Sequence, residues 1–427
     1  MSIVKLGDIC EFINGGAWSD KEYVNSGLPV LKVSNCKNSG FQIEEINYLP
    51  ISSKEKYKKN RLFIGDIIIA TVGSHPNLIE SAAGRSCVVN SLVEGFYLNQ
   101  NAVCLRTMNP QILDQGYLSY ICKERTFVHY IQNKGRGAAN QMRIAISSIK
   151  GYEFDLPKIS LQRRIANILS AYDFLIENNQ KQIKLLEEAA QRLYKEWFVD
   201  LHFPGYEDVK IVNGVPEGWN CQFLDEVVGY EIGGGWGEDS VTEKCDKPAY
   251  VIRGTDLHGI TNGNISGIPY RYHSNKNLEA RVLEDGDIIF EVSGGSKTEG
   301  VARTVLIRDT VLEFWGAPVM CASFCKLVRA NEKQYSQLLF DTFQYMRSSG
   351  KTGEYDKKSA SSIVNYRWKD FLVKETIVIP TNELLLKYNS LSANLYQMIL
   401  TKSVQIEKAK EARDRLLPKL MSGEIEV

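Results

Sequence analysis

A gapless internal repeat limits what this chain can fold into more than any other feature of it. Pro157 and Pro380 lie 223 positions apart. The same offset carries Leu161 onto Leu384, Ile165 onto Tyr388, Ile168 onto Leu391, Tyr172 onto Leu395, Leu175 onto Met398, Ile183 onto Ile406, Leu186 onto Ala409, Leu193 onto Leu416 and Trp197 onto Leu420. Upstream, "LGDICEFINGG" from Leu6 to Gly16 is echoed by "LDEVVGYEIGGG" from Leu224, and "LFIGDIII" ending at Ile69 by "LEDGDIIF" ending at Phe290. Each of the latter is a Gly-Asp turn leading into a short β-branched strand. The chain therefore encodes one supersecondary plan twice.

The plan in each half is a strand-rich globule punctuated by Gly, Asn and Ser, then a proline, then a helix. The expected boundaries are a first globular domain over 1–156, a central helix over 157–202, a linker over 203–216, a second globular domain over 217–379, and a C-terminal helix and tail over 380–427. The linker lies within "FPGYEDVKIVNGVPEGW", Phe203 to Trp219, which is rich in Gly and Pro. The fold class is α+β: two mixed α/β globules joined by two long antiparallel coiled-coil helices, with a pseudo-twofold internal repeat.

Along the first helix the seam positions 161, 165, 168, 172, 175, 179, 183, 186, 190, 193 and 197, all but Asn179 apolar, alternate in steps of three and four, the signature of a coiled-coil seam. At about 1.5 Å per residue this stretch spans about 55 Å, so it needs a partner along its length. Its own repeat is the nearest candidate. If the two helices run antiparallel about a shared centre, the midpoints Asn179 and Lys402 meet. Both are polar at seam positions, which costs stability but sets register. Trp197 and Phe198, in "YKEWF" beside the linker, are candidates for an exposed docking surface toward another protein.

Composition sets further bounds. The 427 residues exceed one ordinary hydrophobic core, and 44% hydrophobic with 24% charged content is that of a folded globular chain. No apolar run is long enough to span a membrane, and the N-terminus lacks the pattern of a secretory leader, so the expected address is cytoplasmic. Nine scattered cysteines without a C-x-x-C pair read as reduced, buried thiols. Fifty-one basic residues balance fifty-one acidic ones. Nucleic-acid binding then requires a local basic cluster, because the total charge supplies none.

The search for catalytic motifs is negative. "SGKTG" at 349–353 lacks the upstream glycine of a phosphate loop, since Tyr345 stands there. "GGGW" at 233–236 has no G-x-G-x-x-G. His75, His129, His202, His258 and His273 never fall at metal-ligand spacing, and no G-x-S-x-G elbow occurs. "GDIIFEVSGG" offers Asp287 and Glu291 but no lysine where a metal-dependent nuclease needs one, and "NPQI" at 109–112 is not an amino-methyltransferase motif.

Basic segments occur instead at equivalent places in both halves. Residues 121–143 carry a net charge of +4, as do residues 344–374. Both mix Arg and Lys with Asn, Gln, Ser, Tyr and Gly, the types that bond base edges and let backbone approach phosphate. The candidate DNA-contacting residues lie there and on the loops after the Gly-Asp strands. In the first half they are Ser74, Arg85, Lys134, Arg136, Asn140, Gln141 and Arg143. In the second they are Ser296, Lys297, Arg303, Lys351, Lys357, Lys358 and Arg367. Arginine suits guanine edges and lysine suits phosphate.

With these features the chain resembles the specificity subunits of Type I restriction-modification systems. "LPKISLQRRIANILSAYDFLIENNQKQIKLLEEAAQRLYKEWFVDLHFPG", Leu156 to Gly205, is similar to the family's central region, and "RLLPKLMSGEIEV", Arg415 to Val427, to its C-terminal one. The resemblance implies a non-catalytic, sequence-specific DNA-recognition subunit. Each globule would be a target-recognition domain for one half of an asymmetric bipartite site on double-stranded DNA. The helices would set the unread gap and dock two methyltransferase subunits, with restriction and translocase subunits joining for cleavage, or a combined methyltransferase-nuclease in their place. No cofactor is expected on this chain; S-adenosylmethionine, ATP and Mg would sit on the partners. The segment between Tyr345 and Pro380 is eight residues longer than that between Tyr130 and Pro157, which implies different half-sites. The competing expectation is a two-headed coiled-coil scaffold for a ligand other than DNA.

Overall fold

The computed structural model describes residues 2–37, 40–43, 45–74, 82–136, 142–294, 300–358 and 363–427. The chain divides into two compact units, 1–172 with 412–427, and 173–411. Each unit holds one globule together with a part of both long helices.

In the first unit an antiparallel four-stranded sheet runs in the order Cys10–Asn14, Ala102–Thr107, Ile67–Ala70, Ser86–Val88. A three-stranded sheet pairs Leu28–Leu31 in parallel with Tyr97–Leu98 and antiparallel with Asn47–Leu49. Ser2–Lys5 pairs with Glu153–Leu156, which closes the globule just before the helix that begins at Ile159. "IIIA", Ile67–Ala70, is buried at every position, as a strand covered on both faces requires.

The second unit repeats this topology strand for strand. Its four-stranded order is Val228–Gly233, Cys325–Ala330, Ile288–Glu291, Thr304–Leu306. Lys247–Ile252 pairs in parallel with Val319–Cys321 and antiparallel with Tyr270–His273, and Asn220–Phe223 pairs with Thr376–Ile379. The echo seen in the sequence is thus an echo of fold. The Gly-Asp anchors have a structural cause. Gly65 and Gly286 take positive φ, 87° and 98°, conformations that favour glycine. Behind them Asp66 and Asp287 accept from the backbone N–H of Phe63 and Glu284, at 2.8 and 2.7 Å.

The long helices are Ile159–Tyr194 and Asn382–Ser422. In the first unit Ile165, Ala166, Leu169 and Leu420 join the core of Leu6, Ile67, Leu105, Tyr117, Leu118 and Phe127. Gln162, fully buried, is satisfied three times: its Oε1 accepts from the Asp114 N–H at 2.9 Å, and its Nε2 donates to the Ile112 and Pro157 carbonyls at 2.9 and 2.8 Å.

In the second unit the C-terminal helix docks on the globule through buried polar groups. The Tyr396 hydroxyl donates to the Leu306 carbonyl at 3.0 Å, and Ser403 links the Gly263 N–H and the Ile260 carbonyl at 2.7 and 2.6 Å. The two helices run antiparallel there, since Phe198 packs on Tyr388 with ring centroids 4.7 Å apart while Asn179 meets Gln405.

The helices differ from expectation in three respects: the residues that meet at the centre, the completeness of the seam, and the exposure of Trp197 and Phe198. Asn179 is buried, but its Nδ2 donates to Gln405 Oε1 at 3.3 Å and not to Lys402, which stands about one turn away and half-exposed. The packing of Tyr388 against Trp197 and Phe198 has nearly the same offset, so the pairing lies off the arithmetic centre of the two seams.

The seam itself is incomplete. Leu175, Leu391 and Met398 remain 43–48% exposed, because the second helix turns Tyr396, Ile399, Ser403 and Ile406 toward the globule. The linker contains a hairpin: Ile211–Val212 and Val215–Pro216 pair across Asn213 and Gly214, both at positive φ, the Asn-Gly pair such a turn demands.

Trp197 and Phe198 are not a docking surface. They are 6% and 8% exposed, in an aromatic cluster with Tyr194, Tyr388 and Trp219. Trp219, beyond the linker, supplies the cover that local sequence around "YKEWF" does not reveal. All nine cysteines are free and seven are buried. Among the described residues no helix is long and apolar enough to cross a membrane, and no His, Cys, Asp or Glu group is arranged to hold a metal.

Candidate DNA interface

The buried central strand of each globule runs on into a short strand at the surface. In the first unit Val72–Gly73 pairs antiparallel with Met142–Arg143. Gly73 is required: a Cβ there would come within 2.3 Å of the Ala83 backbone nitrogen. Arg136 and Arg143 exchange backbone hydrogen bonds, 2.9 Å each way, which fixes both on one exposed ridge with Ser74 next along the chain.

The neighbouring helix Arg125–Asn133 ends at Lys134, whose ammonium lies 5.7 Å from the Tyr130 ring centre. Gln132 in its last turn donates to the Ala83 carbonyl at 3.0 Å, tying that helix end to the segment that carries Arg85. Arg85 is turned inward, donating from Nη1 to the Cys36 carbonyl at 2.7 Å. Neither Arg136 nor Arg143 has an ion-pair partner among the described residues, and both are exposed.

The second unit builds the corresponding surface from three strands. Ser293–Gly294 pairs with Val364–Tyr366, which pairs in turn with Asp356–Lys358. Lys357 stands opposite Asn365 and is exposed, and Lys358 stands opposite Val364 in the register. Ser293 Oγ donates to Asn365 Oδ1 at 2.8 Å. Asn365 and Ser293 are polar surface groups that sequence reasoning passed over. The alternation buried Val364, exposed Asn365, buried Tyr366 was the available signal.

Other candidates have structural work at these positions. Arg303 clamps Glu291, which is 1% exposed, donating from Nε to Oε2 at 2.8 Å and pairing through Nη2 with Oε1 at 2.5 Å. Lys351 pairs with Glu354 and Glu375 at 3.1 and 3.3 Å, and both hold its ammonium above its ordinary pKa. Arg367 pairs with Asp370 at 3.7 Å, bonds the Glu354 carbonyl and lies over the Tyr355 ring. Asn140, Gln141, Ser296 and Lys297 lie outside the described residues.

The two surfaces are thus equivalent in topology and alike in positive charge, but differ in strand number and side chains. Such a pair suits recognition of two different stretches of one polyanion.

Comparison with known proteins agrees. A family model described as the Type I restriction modification DNA specificity domain matches residues 1–188. The Type I restriction enzyme MjaIX specificity subunit of Methanocaldococcus jannaschii is 27% identical over 320 residues, covering 73% of this chain and 69% of that protein. The MjaVIII specificity subunit of the same organism is 25% identical over 442 residues, covering 100% and 93%. Among solved structures, the Type I restriction-modification S subunit from M. genitalium shares the fold at a TM-score of 0.61 and 15% identity, over 98% of this chain and 95% of that one.

The fold is one α/β plan used twice, and the matched DNA specificity domain falls on its first copy. The chain is similar to the specificity subunits of Type I restriction-modification systems, with a DNA specificity domain matched over residues 1–188.

Proposed function

We propose that each unit reads one half of an asymmetric bipartite target in double-stranded DNA. The Arg136–Arg143 ridge with Lys134 would read one half-site, and the Lys357–Asn365 face the other. The observation that carries this is the recurrence of one hairpin surface at repeat-related positions, with exposed cations lacking ion-pair partners among the described residues and with different strands and side chains in each copy. Different copies imply a non-palindromic target.

The long helices then set the length of the unread gap and present docking faces to two methyltransferase subunits. Phe174, Leu185 and Leu386, 63–70% exposed on them, replace Trp197 and Phe198 as the apolar docking groups. Methylation of adenine and cleavage belong to methyltransferase and restriction-translocase partners, and S-adenosylmethionine, ATP and Mg to those chains.

The test is the methylome of a cell expressing this chain with its neighbouring methyltransferase. A methylated bipartite motif with two unlike halves is the expected result, and a chimera in which 217–379 is exchanged should change one half alone. A palindromic motif, or none, would overturn the reading.

A further inference from the structure

The 223-residue offset that relates the two long helices also carries the turn at residues 99–102 onto that at 322–325. Each turn closes on itself. The Ala102 N–H donates to the Asn99 carbonyl at 3.3 Å, and the Cys325 N–H to the Ala322 carbonyl at 2.8 Å. Each leads directly into a central strand of its four-stranded sheet, Ala102–Thr107 or Cys325–Ala330. The two residues at the tip are Gln100 and Asn101 in the first unit, and Ser323 and Phe324 in the second.

The same backbone hydrogen bonds tie both tips to the surfaces described above. The Asn101 carbonyl accepts from the Thr71 N–H at 2.9 Å, and the Thr71 carbonyl from the Ile144 N–H at 2.8 Å, one residue past Arg143. The Phe324 carbonyl accepts from the Val292 and Ser293 N–H groups at 2.9 and 3.1 Å. The Val292 carbonyl accepts from the Tyr366 N–H at 2.8 Å, one residue past Asn365. Each tip therefore stands two strand spacings, about 10 Å, from the outer strand of its surface. A major groove about 12 Å wide takes a two-stranded ribbon of this kind.

The tip side chains have no evident work in the fold. Gln100 and Ser323 are exposed, and the side chains of Gln100, Asn101 and Ser323 make no hydrogen bond among the described residues. Phe324 is 54% exposed. A single exposed apolar group is ordinary on a protein surface. Phe324 is set apart by its place, on a turn pinned beside exposed polar and basic groups, where the first unit carries an amide.

We propose that the two tips are specificity-determining base contacts, the Gln100 and Asn101 amides reading an adenine edge in one half-site and the Phe324 ring packing on a thymine 5-methyl group in the other. An amide side chain bonds adenine N6 and N7 together, and phenylalanine offers a thymine methyl an apolar face. One turn geometry with unlike tips gives unlike half-sites without a change of fold. The inference rests on the reading of both surfaces as DNA interfaces given above.

The experiment compares methylomes of cells expressing the neighbouring methyltransferase with the wild-type chain, Asn101→Ala or Phe324→Ala. Asn101→Ala should relax one position in the half-motif that survives exchange of 217–379. Phe324→Ala should relax one position in the half that changes, and its retained first half shows that the variant folds and assembles.

In duplex titrations with the methyltransferase present, thymines of the second half-site are replaced one at a time by uracil. At one position this should weaken the wild-type chain about fourfold, the scale of one buried methyl group. The same replacement should cost Phe324→Ala nothing. A bipartite motif left unchanged by both variants, a second half without thymine, or a uracil series to which wild type and Phe324→Ala respond alike would overturn the inference and leave the bipartite reading standing. A wild-type chain that directs no bipartite motif would defeat both.

Discussion

Asp66 and Arg106 form a two-pronged ion pair, Nε to Oδ1 at 2.6 Å and Nη2 to Oδ2 at 2.7 Å, and Asp287 repeats it with Arg329 at 2.6 and 2.8 Å. Each carboxylate is almost fully buried at the start of the central strand and pins the neighbouring strand to it. The Gly-Asp echo is therefore a sheet fastener rather than a fragment of an active site. Asp66→Ala leaves a partly buried guanidinium unpaired and also frees the Phe63 N–H. The expected loss is about 3 kcal/mol, the range for breaking a buried pair. It should be read as faster hydrogen exchange at the amides of Ile67–Ala70, and unchanged exchange would refute it.

The exposed cations should separate by how they are held. Removing Lys134 or Lys357 should weaken DNA binding on every sequence and lower the salt slope by about one. Lys351→Ala should do much less, since its ammonium is engaged by Glu354 and Glu375. Arg136→Ala should relax choice at one base pair, with a discrimination loss of about 1–3 kcal/mol. Anisotropy titrations over several salt concentrations, with matched and mismatched duplexes, distinguish these effects. Equal salt slopes for Lys134→Ala and Lys351→Ala would contradict the assignment.

The repeat was legible because gapless helical spacing and Gly-Asp turns are local signals, and both became the same sheet order in each half. What a basic side chain does at its position was not legible. Arg303 looked like a base reader until Glu291, twelve residues back across a strand pair, was seen to hold it. Trp197 and Phe198 looked exposed because their covers, Tyr388 and Trp219, are distant or lie beyond the linker. Helix register failed for a similar reason. Burial of Tyr396 and Ser403 on the globule rotates the second helix, and no pattern within the helix reports where its globule stands.

Asn179 makes one side-chain hydrogen bond, to Gln405, from a site 2% exposed. A buried amide in a helix seam selects register at a cost in stability. Asn179→Leu should raise the stability of the second unit by on the order of 1 kcal/mol, the scale of burying an aliphatic side chain there. It should also weaken discrimination among targets of different gap length. Thermal unfolding and methylation of spacer-length variants check the two halves of the prediction. A destabilised Asn179→Leu chain would mean that the Gln405 bond outweighs the apolar contact.

Asp341 should make the second unit sensitive to mild acid in an unusual direction. Its carboxylate accepts from Tyr388 at 2.7 Å, Ser392 at 2.6 Å and Gln337 at 3.1 Å, yet burial outweighs these bonds and raises the pKa from 3.8 to about 6. Because the folded-state value lies above the unfolded one, the unfolded chain releases this proton first as pH rises. The contribution of Asp341 is fully present below 3.8 and is lost as pH climbs through about 6. At one pKa unit per 1.36 kcal/mol the loss is about 3 kcal/mol at most. Asp341→Asn should remove that decline, so the variant gains relative stability toward neutral pH even as it gives up one acceptor. Urea unfolding followed between pH 4 and pH 7 tests the sign, and parallel pH profiles for the two chains would overturn it.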